Sequence, residues 1–117
     1  MTIKQVEEIL GINRETIRYY IQEGLVSPRQ NENGYRFYSE DDVQQLKRIM
    51  ILRQLEVSIS DIRDILQGNR EFIPVLEKSK VILEKKVRYV NDAIRICAEL
   101  AQSADSNFDP DPFFTRH

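Results

Sequence analysis

The chain has 117 residues and 13.8 kDa, with 17 Lys and Arg against 19 Asp and Glu and a pI near 5.5. This length suits about one domain, and the acidic balance argues against a nucleic-acid binder, which usually has a pI above about 9. Apolar runs are short and the N-terminus lacks a secretion signal, so we expect a cytoplasmic protein with no membrane partner. One cysteine excludes an internal disulfide and a multi-thiolate metal site, and we predict no metal or cofactor.

The first two elements are predicted to be short helices joined by a tight turn. Thr2 with Gln5 forms a capping-box pattern, and Gly11 stands where a helix end favours a left-handed residue. Asn13 is a good N-cap for a second helix, which we expect to end at Gly24. This spacing indicates a helix-turn-helix, although an ordinary helical hairpin would produce the same pattern.

The second helix has two chemically different faces. Ile17, Tyr20 and Ile21 form an apolar stripe. The opposite side carries Arg14, Glu15, Arg18, Tyr19 and Gln22. Arginine can hold a phosphate or a guanine edge with two hydrogen bonds, and a tyrosine hydroxyl donates well to phosphate. A solvated helix face, with weak repulsion between Arg14 and Arg18, is the alternative interpretation.

A short hairpin is predicted after the second helix. Pro28 and the turn at residues 31–34 break the helical pattern, and the aromatic stretch of residues 35–38 suits a strand. Such a hairpin after a helix-turn-helix is called a wing. Its basic and aromatic residues are Arg29, Tyr35, Arg36 and Tyr38. Because side chains alternate along a strand, we expect one pair of rings, from either Tyr35 and Phe37 or the opposite face, to pack inward.

Two further helices follow, and then a longer one. Ser39 with Asp42 begins a helix that runs to about Leu55, and Ser58 opens another that Gly68 closes. From about Pro74 to Ala104 the chain has no glycine and no further proline, and apolar residues recur in steps of four and three. This heptad seam consists of Leu83, Val87, Val90, Ile94, Cys97, Ala101 and Ala104.

The long helix is predicted to pair with a second copy of the chain. About thirty residues span roughly 45 Å, which is too long for the preceding domain to cover. A two-stranded coiled coil in a homodimer is the favoured arrangement, and a helix folded back on its own domain is the alternative. Cys97 is interpreted as a small apolar residue of the seam, with redox sensing as the less favoured alternative.

The predicted fold is therefore mainly α: a winged helix-turn-helix, candidate DNA-binding domain at residues 1–68, a dimerisation helix at 69–104 and a short, acidic and aromatic, flexible tail at 105–117. Enzymatic chemistry is poorly supported. His117 is the only histidine and lies at the terminus, so no Ser–His–Asp arrangement is available, and no Gly-rich phosphate loop occurs. We predict that the chain is not an enzyme.

Several spaced motifs between residue 2 and about residue 67 resemble the MerR family of bacterial transcription regulators. They are Thr16-Ile17-Arg18-Tyr19-Tyr20, Gly24-Leu25, Pro28, Gly34-Tyr35-Arg36-Phe37-Tyr38-Ser39, Asp42-Val43, Leu46, Leu52-Arg53 and Ser58-Ile59 with Ile62. Two positions depart from the family pattern. Ile21 replaces an acid after the paired tyrosines, which puts a salt bridge in doubt, and Glu56 replaces a glycine, which affects the turn at 55–58.

The resemblance implies a homodimer, held by an antiparallel coiled coil, on a near-palindromic operator in double-stranded DNA. It implies that Thr16, Arg18 and Tyr19 contact DNA from the recognition helix and that Tyr35 and Arg36 contact phosphates from the wing. Asn13, Arg14 and Glu15 fall where the family reads bases. Members bend and untwist promoters with an overlong spacer, so RNA polymerase is an indirect partner. The similarity is to short-form members, so we expect no large effector domain, and the inducing signal stays open.

Two other functions fit the sequence. The coiled coil and aromatic tail could form a protein-interaction module, which the acidic balance favours. A winged DNA-binding domain could also serve an architectural role, as in phage excisionases, and bend DNA without regulating a promoter.

Overall fold

The computed structural model describes residues 1–103 and 105–114, with the side chain of Ser103 left aside. The elements are α1 (Ile3–Leu10), α2 (Arg14–Gln22), β1 (Arg29–Gln30), β2 (Arg36–Phe37), α3 (Glu40–Gln54), α4 (Ile59–Leu66), α5 (Phe72–Ser103) and a 3-10 helix (Asp111–Phe113). The mainly helical fold, with a helix-turn-helix and a two-stranded wing before a long helix, confirms the predicted fold class. No helix in the described ranges is long and apolar enough to cross a membrane.

The predicted helix starts are confirmed by side-chain caps. The Thr2 hydroxyl accepts from Gln5 N at 3.2 Å, and the hydroxyls of Ser39 and Ser58 each accept from a backbone N–H at 3.1 Å. Asn13 Oδ1 accepts from Thr16 N at 2.9 Å. Such a cap contributes about 1 kcal/mol, because it satisfies a backbone donor that the helix leaves unpaired. These short polar side chains therefore fix where α1 to α4 begin.

The wing is a two-stranded antiparallel hairpin in which Arg29 pairs with Phe37 and Gln30 with Arg36. The expectation of an inward-packed ring pair was wrong, because Tyr35 and Phe37 are 73% and 61% exposed and Tyr38 is buried alone at 1%. The physical reason is that the strand ends at Phe37. Beyond it, Tyr38 N donates to Met1 O at 2.8 Å, and this bond ties the residue after β2 to the start of the chain.

The first compact unit comprises Met1–Lys80. Its core is formed by apolar side chains from α1 to α4, the wing and the first turns of α5, namely Val6, Ile17, Tyr20, Leu25, Val26, Tyr38, Val43, Leu46, Ile49, Leu52, Val57, Ile62 and Val75. The predicted boundary after residue 68 stays a prediction, since the start of α5 shares this core through Val75.

A salt bridge within this unit joins α4 to the end of α2. Arg63 Nη2 lies 2.7 Å from Glu23 Oε2, and Arg63 Nε donates to the backbone oxygen of Glu23 at 3.0 Å. Ile21 put a salt bridge near the paired tyrosines in doubt, and the structure shows an ion pair formed by a different residue at this end of α2. An acid two residues further on anchors the C-terminal end of the helix.

The turn between α3 and α4 places Glu56 in the left-handed region, with φ of 66°. Glu56 N donates to Arg53 O and Val57 N donates to Leu52 O, both at 3.1 Å. This is the bond pattern with which a left-handed residue closes a helix, and glycine adopts it without strain. The turn therefore forms in spite of the glutamate, at an energetic cost.

The second compact unit begins at Val81 and contains the remainder of α5 and the tail. The predicted seam residues of this part lie on an uncovered face. Val87, Val90 and Ile94 are 59%, 51% and 62% exposed. Of the others, Leu83 is half-buried and Cys97 and Ala101 are exposed. Ala104 of the predicted seam lies outside the described residues.

The described part of the tail, residues 105–114, contains the 3-10 helix and an aromatic contact. The ring centroids of Phe108 and Phe113 are 6.1 Å apart in an edge-to-face arrangement. Residues 115–117 of the predicted tail, including His117, lie outside the described residues, and the expected flexibility of the tail stays a prediction.

Candidate nucleic-acid interface

The first turn of α2 is built by side chains that the sequence predicts at the DNA. Asn13 Oδ1 accepts from both the backbone nitrogen and the hydroxyl of Thr16, each at 2.9 Å. Asn13 is exposed and Thr16 is half-buried. Both residues therefore shape the helix start, and the Asn13 amide nitrogen and the Thr16 oxygen are the groups that can face a ligand.

Arg14 forms an ion pair with Glu7 of α1. Arg14 Nη2 lies 2.8 Å from Glu7 Oε1, and Arg14 Nε donates to the same oxygen at 3.1 Å. Glu7 Oε2 accepts from the backbone nitrogen of Arg14 at 3.0 Å. One carboxylate thus binds the guanidinium and the first backbone donor of the helix together. The sequence pattern did not single out Glu7, because the contact crosses the turn between the helices and has no local signature.

The middle of α2 presents Arg18 and Tyr19 outward. Ile17 and Tyr20 are 0% and 7% exposed and pack into the core, so the residues between them face away from it. Tyr19 is 44% exposed, with its ring centroid 5.9 Å from that of Tyr20. Among residues 1–103 and 105–114, no carboxylate lies within ion-pair distance of Arg18, so its charge is available to an external anion.

A groove of about 400 Å³ lies between α2 and the wing. Arg18 from the helix and Tyr35 and Arg36 from the wing line it. Its remaining lining residues are Thr2, Ile3, Asn31, Gly34, Phe37 and Tyr38. Two guanidinium groups and an exposed phenol around one concavity suit a phosphate-bearing ligand, because guanidinium donates in the fork geometry that phosphate oxygens match.

The pKa of Tyr38 is affected by the charges around this groove. Burial raises the pKa of its hydroxyl, while the positive charges of Arg36 and Arg18 act in the opposite direction and Asp42 adds to the rise. The two arginines, one from the wing and one from the recognition helix, therefore act on the same buried group. The Tyr38 hydroxyl makes no hydrogen bond within the part of the chain that the structure describes.

Asn31 organises the tip of the wing. Its side-chain oxygen accepts from the backbone nitrogens of Asn33 and Tyr35, each at 3.0 Å, and its backbone nitrogen donates to Tyr35 O at 2.8 Å. Gly34 completes the turn with φ of 81°. The sequence predicted a turn here, and the structure adds that Asn31 holds Tyr35 in position. The turn composition was the only available signal for this role.

The predicted site residues fall into two groups. Asn13, Arg14 and Thr16 lie together at the start of α2, and Arg18, Tyr35 and Arg36 meet at the groove. Tyr19 is exposed on the same helix without lining the groove. Over the described ranges, no group of three or more His, Cys, Asp or Glu side chains is arranged to hold a metal ion. The geometry favours anion recognition on one face of the first unit.

Comparisons with known proteins agree with this geometry. A family model described as MerR HTH family regulatory protein matches residues 1–69. The HTH-type transcriptional regulator ZntR homolog of Haemophilus influenzae is 34% identical over 101 residues, which cover 86% of this chain and 75% of that protein. Relatives of this kind are transcriptional regulators.

Solved structures extend the similarity to the fold. MtaN, the N-terminus of the Bacillus subtilis multidrug transporter activator, has a TM-score of 0.71 and 28% identity, with 88% of this chain and 99% of that chain covered. EcmrR in a complex with DNA has a TM-score of 0.72 and 29% identity, with 86% of this chain and 38% of that chain covered. The second of these is a protein–DNA complex.

Proposed function

Since the chain belongs to the MerR family of DNA-binding transcription regulators, we propose that it acts as a homodimer on a near-palindromic promoter operator. Each copy inserts α2 into the major groove and sets its wing on the flanking backbone. The observation that carries this proposal is the groove in which Arg18 meets Tyr35 and Arg36. A helix and a hairpin that share one cationic concavity can hold a base edge and a neighbouring phosphate at the same time.

The residues divide the work of recognition. Arg18 and Tyr19 contact the duplex from the exposed face of α2, and Tyr35 and Arg36 bind backbone phosphates from the wing. Asn13, Arg14 and Thr16 lie at the N-terminal end of α2, from which recognition helices contact base edges. Phosphate contacts set the register of the protein on DNA, and base contacts select the sequence.

The dimer is supported by the uncovered seam of α5. Val87, Val90 and Ile94 are each more than half exposed in one chain, and they repeat in the four-and-three pattern of a coiled coil. Pairing with the seam of a second, antiparallel copy removes this apolar surface from water. Leu83, Cys97 and Ala101 complete the contact. Residues 1–68 then form the DNA-binding part of each copy, and residues 69–104 form the dimerisation part.

Regulation is proposed to act through the shape of the promoter. The dimer bends and untwists a spacer that is too long for RNA polymerase to read both promoter elements. The similar regulator EcmrR has been solved with DNA in an assembly named EcmrR-RPo. DNA deformation also provides selectivity at positions that the protein does not touch.

The net charge of −2 is compatible with this function because the charges are unevenly distributed. Four arginines lie at positions 14, 18, 29 and 36, on or beside the proposed contact surface. Non-specific binding should therefore be modest and should fall steeply with salt, since it depends on counterions released from phosphates.

The proposal is tested by selecting duplexes from a random pool with the full chain, followed by footprinting on the upstream DNA of its own gene. We expect a symmetric protected site. Arg18→Ala should weaken binding to the selected site by about 1–3 kcal/mol. Gln54→Ala, at an exposed position at the end of α3 that belongs to neither the recognition helix nor the wing, is the control and should leave the affinity within about twofold. Failure to protect any DNA fragment at low salt, or the absence of sequence preference at physiological salt, would refute the proposal and favour a protein-interaction module.

A further inference from the structure

We propose that Glu7 is a positioning residue for DNA recognition, because it holds Arg14 in one orientation and thereby sets which sequences the helix start accepts. This inference rests on the proposed function and deepens it. The carboxylate binds three donors of one residue: Nη2 at 2.8 Å, Nε at 3.1 Å and the backbone nitrogen at 3.0 Å. Glu7 belongs to α1, outside the recognition helix, so its effect on DNA passes through Arg14.

The ion pair stabilises the arginine at a position that is otherwise unfavourable for a cation. Arg14 is the first residue of α2, where the positive end of the helix dipole disfavours a cation. The Glu7 carboxylate offsets both charges at once, because it accepts from the guanidinium and from the helix's first N–H. The arginine is thus held against the helix start, where otherwise it would be repelled and rotate freely.

The same contact leaves one edge of the guanidinium for a ligand. Oε1 of Glu7 accepts from the edge formed by Nε and Nη2, and the remaining N–H groups on Nη1 and Nη2 are directed elsewhere. The Arg14 side chain is 45% exposed and that of Glu7 is 24% exposed. The arginine side chain is therefore more accessible to a ligand than the carboxylate that holds it.

This arrangement favours specificity over affinity. A base or phosphate that meets the free edge finds an arginine whose side chain is already ordered, so binding loses less conformational freedom. A sequence whose acceptors lie elsewhere can engage Arg14 only after its ion pair with Glu7 breaks. Glu7 thus penalises unsuitable sequences, which is how a binding site discriminates by a difference of affinities.

The experiment measures dissociation constants of the full chain for its selected operator and for a scrambled duplex of equal length, over a range of salt concentrations. The variants are Glu7→Gln, Arg14→Ala and the double variant. Glu8→Gln is the matched control, because Glu8 is the next, exposed residue of α1 and its loss removes the same charge.

We expect Glu7→Gln to reduce the ratio of the two affinities about fivefold, mainly through tighter binding to the scrambled duplex. The affinity of this variant for the scrambled duplex should also depend more steeply on salt, by about one additional counterion for each released arginine. A purely structural role of Glu7 would not produce this change. With Arg14→Ala already present, Glu7→Gln should change the ratio by less than about twofold, because the residue it positions is gone.

Three results would overturn the inference. One is an equal effect of Glu7→Gln and Glu8→Gln, which would reduce the effect to net charge. Another is a full effect of Glu7→Gln in the Arg14→Ala background. The third applies if circular dichroism shows that Glu7→Gln unfolds the chain, in which case Glu7→Asp is compared. Aspartate keeps the charge but is one methylene shorter, so it should hold Arg14 in a different position. Wild-type discrimination by this variant would contradict positioning. A wild-type chain that prefers no sequence would instead refute the proposed function, and this inference with it.

Discussion

The two halves of α5 differ in what covers their apolar residues. Near its start, Val75 and Ser79 are 4% and 5% exposed and lie within the first compact unit. Further along the same helix, Val87 and Ile94 are 59% and 62% exposed. One continuous helix therefore carries a segment that a single chain buries and a segment that a single chain leaves open. The first segment belongs to a fold that is complete in one chain, and the second indicates a surface for association.

The largest expected effect is a loss of stability when an apolar residue of the buried core is shortened. Ile17→Ala removes a side chain that is 0% exposed in the core below α2 and should lower the free energy of unfolding by about 2–5 kcal/mol. Ile51→Ala is the same substitution at a residue of α3 that is 58% exposed, and it should cost about 0.5 kcal/mol. Chemical denaturation followed by circular dichroism measures both. Equal losses would mean that the core does not depend on burial as described.

The substitution Ile94→Asp tests the exposed seam of α5. A charge in the proposed seam would be buried without a partner, so the dimer dissociation constant should rise about 100-fold, or roughly 2.7 kcal/mol. Asn91→Asp introduces the same charge at an exposed position outside the predicted seam and should leave the constant nearly unchanged. Sedimentation equilibrium provides the two constants. A wild-type dimer that tolerates Ile94→Asp would separate dimerisation from this seam.

The substitution Tyr38→Phe tests a buried polar group of the first unit. The hydroxyl is buried without a hydrogen bond among the described residues, so its removal should raise the free energy of unfolding by about 1 kcal/mol at neutral pH. Burial raises the pKa of the folded hydroxyl above that of the unfolded chain, which is near 10. Above that pH the unfolded chain loses its proton first, so wild-type stability falls and the variant should lose less. Denaturant titrations at neutral and alkaline pH check both effects, and a destabilised variant would contradict an unsatisfied hydroxyl.

The smallest effect concerns the turn before α4. Glu56 has φ of 66°, where glycine is unstrained, so Glu56→Gly should be more stable than Glu56→Ala by about 0.5–1 kcal/mol. Both variants remove the carboxylate, so any contact of that group cancels in their difference. Thermal unfolding of the pair provides the measurement. If alanine proved as stable as glycine, backbone strain at this position would be excluded.

Local signals account for the parts of the fold that the sequence predicted well. The caps at Thr2, Asn13, Ser39 and Ser58 act within three residues of themselves, so spacing alone reveals them. The inward packing of the wing rings was predicted wrongly, because the strand is only two residues long and Tyr38 is held by Met1. Strand alternation cannot anticipate a tether from a distant segment.

The site was predictable in composition and less so in geometry. The sequence grouped the arginines of α2 and the wing, yet the ion pair between Glu7 and Arg14 depends on how the two helices turn about Gly11, and one sequence does not specify that angle. The burial of residues in a single chain also does not show what covers the seam. For the seam, only the four-and-three repeat was informative, and it specifies a partner helix without identifying it.

The central claim is that two chains bind one symmetric operator through paired α5 helices and two DNA-binding units. Sedimentation velocity of the selected duplex with excess full chain tests it most directly. We predict that the complex exceeds the mass of the free duplex by about twice 13.8 kDa, with no intermediate carrying a single chain. A complex heavier by one chain, or a duplex that sediments unchanged, would contradict the claim.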